Sequence, residues 1–470
     1  MPNPTKPSPF LAASRAPLRG LMEALGKRYD FASVLGTDCA GTCFEAFPDE
    51  KRAAESMWTE RGFVFRVVAR GRVVERSVDR LPDSSAALML EMDALLATAA
   101  PDGAFSFDPA ETALTGSWYP QTGRDPLTAP PREILDRLEE LRAQTAAVSP
   151  LIAMARTRAE WARVSKLYLS ARRELEQSYL WGQAYVFAAA RRDGKTKQTF
   201  KAVSGLKGTE LLEELADAPE TTAATAIELL DAGTVEPGEY EVVLSPDLTG
   251  LLAHEAFGHG VETDMIAKGR AKAAAFMGKR VGSPLVTMYD GARAAEQTGS
   301  FEFDDEGTPG SSTLVLDRGI LAEGISDLLS ARELGIRATG NGRRWSFERK
   351  AYARMTNTFF AAGTSEPEDL VAGVKHGWLL DRSNSGMEDP KNWGIQLVAL
   401  IGREIRDGKL TGRIASPVVC TGSVPEVLGA VSAVSREVEL KGNGYCGKGH
   451  KEKMKVSSGG PWVRTKMRLG

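Results

Sequence analysis

Leu251-Leu252-Ala253-His254-Glu255-Ala256-Phe257-Gly258-His259-Gly260-Val261-Glu262-Thr263-Asp264 holds two of the chain's four histidines, five residues apart, with an acid beside the first. In an α-helix of 3.6 residues per turn, a fourth neighbour lies about 40° round the axis and a fifth about 140°. Imidazoles at i and i+5 therefore meet one metal ion only if the helix carries a π-bulge or ends at Gly258, letting His259 swing back. The segment makes a structural demand, and Gly258 is placed to meet it. The alternative is an amphipathic helix with its polar residues outside.

The octet 252–259 resembles the zinc-protease motif His-Glu-x-x-His with one residue added. Zinc takes neutral imidazole or thiolate donors, and a catalytic site keeps three protein ligands with one open position. Two histidines leave one donor to find among Cys39, Cys43, Cys420, Cys446, His376, His450 and the carboxylates. Cys446 stands in Gly442-Asn443-Gly444-Tyr445-Cys446-Gly447-Lys448-Gly449, where glycines let the backbone come close and Lys448 favours the thiolate. His450 is its rival as a ligand, and a glycine loop with an incidental cysteine is the alternative to both. Cys39 and Cys43 have no second pair nearby, so they do not make a four-donor structural site. Glu255, one residue from an imidazole, is placed as general base.

Outward from this segment, the 470 residues suggest several domains. Apolar residues make up 42% and charged residues 26%, enough to bury sizeable cores. Lys and Arg total 59 against 62 Asp and Glu, a net charge of -3 that argues against bulk electrostatic binding of nucleic acid. Four cysteines are no disulfide scaffold and fit a reducing cytoplasm. No secretory signal is visible, and apolar runs such as 396–401 are far below the roughly 20 residues of a membrane helix.

The chain divides into a flexible Pro-rich tail (1–18), an N-terminal α+β domain (19–125), a middle α+β domain (126–236) and a β-rich C-terminal domain (237–470) carrying the metal-site helix. Apolar spacing predicts helices over 10–27, 83–100, after Pro131 and over 219–232. Strands are expected over 29–35, 62–74 with a hinge at Arg70-Gly71, 151–155, 167–171, 179–191, 199–204, 241–244, 393–405 and 417–421. Lys451, Lys453 and Lys455 are expected on one exposed strand face, with Met454 and Val456 on the other.

The 251–264 segment resembles the signature of the TldD/PmbA family of metalloproteases, once called modulators of DNA gyrase. Asp304-Asp305-Glu306-Gly307-Thr308-Pro309, Thr339-Gly340-Asn341-Gly342-Arg343-Arg344, Arg354-Met355-Thr356-Asn357-Thr358 and Gly444-Tyr445-Cys446-Gly447-Lys448 resemble further family segments in the expected order. The resemblance implies a zinc-dependent peptidase for unfolded peptides, with His254, His259 and Cys446 as ligands and Glu255 as base. Because this chain keeps the motif, it resembles the TldD branch, and a TldE/PmbA-like paralogue or a second copy is implied as partner in a dimer. Arg354 and Asn357 are candidate substrate contacts by the same resemblance. Arg343, in a glycine-rich turn, is a candidate for a peptide carboxylate. Asp264 is a candidate for orienting a histidine or holding a peptide amine. The chain departs from the family pattern at 381–390 and 449–455. Two other roles compete: a non-catalytic subunit supporting a related peptidase, and a regulator of a DNA enzyme.

Overall fold

The computed structural model describes residues 3–99, 111–449 and 452–470. Ser8 opens the first helix, Pro9–Gly26, by accepting the Leu11 N–H at 3.1 Å. Proline fits the first helical turn, and Leu11, Leu18 and Leu25 are fully buried. The flexible tail expected over 1–18 is corrected from Pro9 onward: capping and the leucine spacing make that part a packed helix.

One eight-stranded sheet follows: six strands run in the order Lys195–Gly205, Arg173–Arg192, Ile152–Ser170, Phe31–Ala46, Glu60–Ala69, Arg72–Val78, with Lys51–Glu55 added on Phe31–Ala46 and Leu114–Trp118 on Arg173–Arg192. Phe31–Ala46 and Ile152–Ser170 pair antiparallel from Ser33↔Ser170 to Ala46↔Thr157. This sheet runs across the division expected at 125/126, so the two N-terminal units share one hydrogen-bonded layer. The helices Pro9–Gly26 and Ser85–Thr98 bury Leu11, Leu18, Leu88 and Met92 against Val34, Phe63 and Phe65. Pro131–Ala147 buries Ile134, Leu138 and Leu141 against Phe44 and Trp161.

Side chains alternate along a strand, so what the helices do not cover faces the other way. That face meets the C-terminal region. Tyr168 and Leu35 pack on Phe303. Arg66 pairs with both Glu75 and Glu306, Glu75 with Arg344, and Lys166 with Asp305.

The C-terminal region is β-rich, as expected. Its seven-stranded sheet runs Gly238–Leu244, His376–Asp389, Gly394–Arg406, Val418–Ser423, Val463–Leu469, Ala433–Val434. Gly238–Leu244 also pairs with Val463–Leu469, closing five of these strands into a ring. A six-stranded sheet lies beside it and includes Asn357–Phe360 and Ser457–Gly460. The helix Pro246–Ala253 packs between the two. A Cβ at Gly250 would come within 2.5 Å of the Gly459 backbone nitrogen, so only glycine allows this approach. Among the described residues, no helix is long and apolar enough to cross a membrane.

Candidate metal centre

The helix Pro246–Ala253 passes into a π-helical turn, His254–Gly258, in which the His259 N–H bonds the His254 carbonyl. Of the two arrangements that would let the histidines meet one metal ion, this is the π-bulge. It brings the two imidazoles face to edge, with centroids 5.1 Å apart and planes at 89°. Gly258 serves the turn differently from the expectation. Its φ is -67°, which any residue adopts. The requirement is space, because a Cβ at 258 would lie 2.0 Å from Met355 Sδ.

Cys446 arrives from the far end of the chain, on the hairpin formed by Cys446–Lys448 and Glu452–Met454. Donor atoms of His254, His259 and Cys446 all lie within 4.8 Å of one another, the one such His/Cys/carboxylate group among the described residues. Cys446 Sγ is 3.1 Å from His259 Nε2. Burial alone would raise the Cys446 thiol, but the two imidazoles override it and hold it well below the usual thiol range. Burial likewise disfavours the charged form of His259, yet Glu262 and Cys446 raise it well above the usual value. A thiolate and two imidazoles converging on one point are a donor set that suits zinc. His450 lies outside the described residues.

Glu262 fixes His259. Its Oε2 lies 3.0 Å from His259 Nδ1, which leaves Nε2 facing the Cys446 sulfur. Burial would raise the Glu262 carboxyl, but Lys448, His259 and Arg354 outweigh it and hold it at about 2. Lys448 Nζ bridges Glu262 at 3.0 Å and Asp264 at 2.7 Å. Glu262 carries no role from sequence alone, where Asp264 is the candidate for orienting a histidine. The available signal was an acid three residues after His259, within reach in a tight helical turn.

The donors open onto a cleft of about 580 Å³, lined by Asp247, Glu255, Ser385, Glu388, Asn443 and Tyr445 among others. Glu255 is 9% exposed, and no described side chain hydrogen-bonds or ion-pairs with its carboxylate. The backbone of Gly386 lies against it, since a Cβ there would be 2.8 Å from Glu255 Cγ. Gly386 belongs to His376–Asp389, which pairs with Gly394–Arg406 along its length but with Gly238–Leu244 only through Leu380. From 381 to 389, one edge of this strand has no partner strand among the described residues. This edge is the cleft wall, and it is the stretch where the sequence departs from the family pattern. Burial raises the Glu388 carboxyl on the same wall.

The residues expected to touch substrate are placed elsewhere, and none of the four lines this cleft. Asp264 faces Lys448. Arg354 is 1% exposed and donates to the carbonyls of Cys446 and Glu452, both at 3.2 Å, so it secures the ligand hairpin. Asn357 is fully buried, donating to Gly291 O and Ser300 Oγ, both at 3.0 Å. Arg343 donates to Met355 O at 2.7 Å and lines a different cavity. Lys455, expected on an exposed face, is 4% exposed; its ammonium bonds Gln183 Oε1 at 2.8 Å and the carbonyls of Gly442 and Gly444. The sheet of the N-terminal region covers that face.

Residues 237–466 match the family model described as the PmbA/TldA metallopeptidase C-terminal domain. A metalloprotease of Synechocystis is 30% identical over 352 residues, covering 73% of this chain and 74% of that one. A TldD homolog of Buchnera aphidicola, named a metalloprotease, is 35% identical over 228 residues, 48% of this chain. That match spans only about half of the Buchnera protein, 47%. The crystal structure of TldE from Thermococcus kodakarensis superposes with a TM-score of 0.76 over 96% of this chain and 99% of its own, at 16% identity, a likeness of fold alone. A fold shared from end to end and a sequence match over nearly three quarters of the length agree with the 251–264 motif: this chain belongs to the TldD/PmbA family of metallopeptidases.

Proposed function

We propose that this chain is a zinc-dependent peptidase acting on unfolded peptides. The observation that carries the proposal is the convergence of His254, His259 and Cys446 at a cleft where Glu255 stands unpaired. His254, His259 and Cys446 would hold the zinc, which would supply a Lewis acid for the scissile carbonyl. Glu255 takes the proton of the attacking water and returns it to the leaving amine. Glu262 keeps the His259 ring oriented throughout, and Arg354 holds the Cys446 backbone in place. The unpaired 381–389 edge receives the peptide as an added strand, with main-chain hydrogen bonds that tolerate any sequence; a folded protein cannot offer its backbone in this way.

A TldE/PmbA-like paralogue or a second copy is the partner, a reading supported by the shared fold with TldE. All four cysteines are free, which supports a reducing, cytoplasmic setting. Light scattering on the pure chain tests the assembly; a strict monomer cleaving peptides at full rate refutes it.

The function is tested by measuring metal content and peptide hydrolysis together. Chelation abolishes hydrolysis and zinc restores it. Glu255→Gln abolishes hydrolysis while the bound metal stays nearly unchanged. A Glu255→Gln protein that loses its metal stoichiometrically, or that still hydrolyses at the full rate, overturns the assignment.

A further inference from the structure

A second cavity, of about 250 Å³, lies in the junction between the eight-stranded sheet and the C-terminal region. It shares no lining residue with the metal cleft, although Trp58 on its wall meets Tyr445 of the cleft edge-on at 6.5 Å. Trp58, Tyr179, Phe301 and Arg343 form much of its wall. Met57, 46% exposed, also lines it.

Arg343 is the anomaly. It is 8% exposed, its guanidinium lies 5.3 Å from the Phe301 ring, and its hydrogen bond goes to the neutral carbonyl of Met355. Among the described residues, no carboxylate pairs with it. The neighbouring buried cations are all engaged: Lys166 with Asp305, Arg344 with Glu75, and Lys455 with an amide oxygen and two carbonyls. A guanidinium stays charged in any protein, and burying one without a counter-charge is costly. Tyr179, 5% exposed, faces the same space, and its hydroxyl has no hydrogen-bond partner among the described residues. Of the acids on the wall, Glu348 is exposed and pairs with no cation among the described residues, and the buried ones are committed: Asp304 accepts the N–H groups of Glu306, Thr308 and Gly342. Asp305 serves Lys166 and the Arg344 N–H, and Glu60 accepts the Phe347 N–H at 2.9 Å. Burial pushes the Glu60 carboxyl up to about 7, so it is a weak counter-charge.

We infer that this cavity binds a small carboxylate with an apolar body, its carboxylate on Arg343 and the Tyr179 hydroxyl and its body against Trp58. Carboxylate and guanidinium match in shape as well as charge. The volume falls just under the about 300–1,000 Å³ of drug-sized sites, which limits the occupant to amino-acid size. The inference does not depend on the peptidase reading, because the residues it uses are not those of the metal cleft.

The probes are N-acetyl-L-leucine and its uncharged amide, titrated into the full-length metal-loaded protein by calorimetry, with tryptophan fluorescence reporting on Trp58. The acid binds and changes the fluorescence, and the amide binds at least about tenfold more weakly. Arg343→Gln abolishes the preference. Tyr179→Phe removes only an oxygen that has no partner, leaves the fold intact, and weakens the acid severalfold. No binding at millimolar acid, equal binding of acid and amide, or unchanged acid binding in Tyr179→Phe overturns the inference. The last of these outcomes would place the carboxylate elsewhere, for example at the metal.

Discussion

Glu262→Gln is the sharpest test of how the metal centre is held. Glu262 is buried to within 1% and serves three partners: His259 Nδ1 at 3.0 Å, Lys448 Nζ at 3.0 Å and Arg354 Nε at 3.7 Å. Glutamine keeps the shape and one acceptor oxygen but removes the charge. His259 then loses a charge-assisted hydrogen bond, an interaction of about 1.5–3 kcal/mol. Replacing partners of this kind around metal-bound histidines lowers metal affinity about 10–100-fold, or about 1.4–2.8 kcal/mol. The two figures agree, so the expected loss is one to two decades of affinity. Titration with a competing chelator, followed by metal content, measures it directly. Asp264→Asn serves as the comparison, because Asp264 reaches only the lysines and not His259; its effect should be smaller. If Glu262→Gln holds metal as tightly as the parent while Asp264→Asn does not, Asp264 is the orienting acid and the geometry described above is wrong.

Cys446→Ser is expected to lose metal and hydrolysis together, and His450→Ala to keep both; the reverse result in metal analysis would make His450 the third ligand. Gly258→Ala forces a methyl group to within 2.0 Å of Met355 Sδ and should cost about 1–3 kcal/mol in a denaturant titration, whereas an unchanged midpoint would mean the π turn has slack. At Glu75, burial favours the neutral acid, but Arg66 and Arg344 hold the carboxyl at about 2, against 4.5 when free. A lowered folded-state value means the stability is present above about pH 4.5 and is lost as pH falls toward 2, a contribution of at most about 3 kcal/mol. Glu75→Gln should therefore flatten the acid limb of stability over that window, as followed by circular dichroism. An acid limb identical to the parent's would show that the ion pairs do not join the two regions energetically.

The parts of the fold visible in the sequence were those whose residues answer to one local rule. Pro131 and the spacing of Ile134, Leu138 and Leu141 mark a helix found at Pro131–Ala147. For the i, i+5 histidines to share a metal the helix needs a π-bulge or an end at Gly258, and the bulge is what is present. The hidden parts depend on what lies across the domain junction. The segments 151–155 and 167–171 are expected as separate strands, and the polar residues Arg158, Glu160, Arg163 and Lys166 lie between them. They are one strand, Ile152–Ser170, whose polar side chains find partners such as Asp305 and Asp125. Lys455 misled for the same reason: alternation reports two faces, not which of them another layer will cover. At the site, Glu262, Lys448 and Arg354 act on metal donors through contacts that sequence spacing cannot foresee, since Arg354 and the Cys446 carbonyl are 92 residues apart.

Cys446 stands 187 residues beyond His259. During synthesis, domains fold broadly in the order in which they are made. A chain grown past residue 389 but not yet to Cys446 carries the His254 and His259 imidazoles but neither the thiolate nor Lys448, the lysine that braces Glu262. The cleft wall at 381–389 would already exist, and so would Glu255. What is missing is the donor that completes the trio. A ribosome carrying an unfinished copy therefore displays an unfolded peptide next to an incomplete centre. Translation itself delays the appearance of the assembled donor trio until the 187 residues that separate Cys446 from His259 have been made.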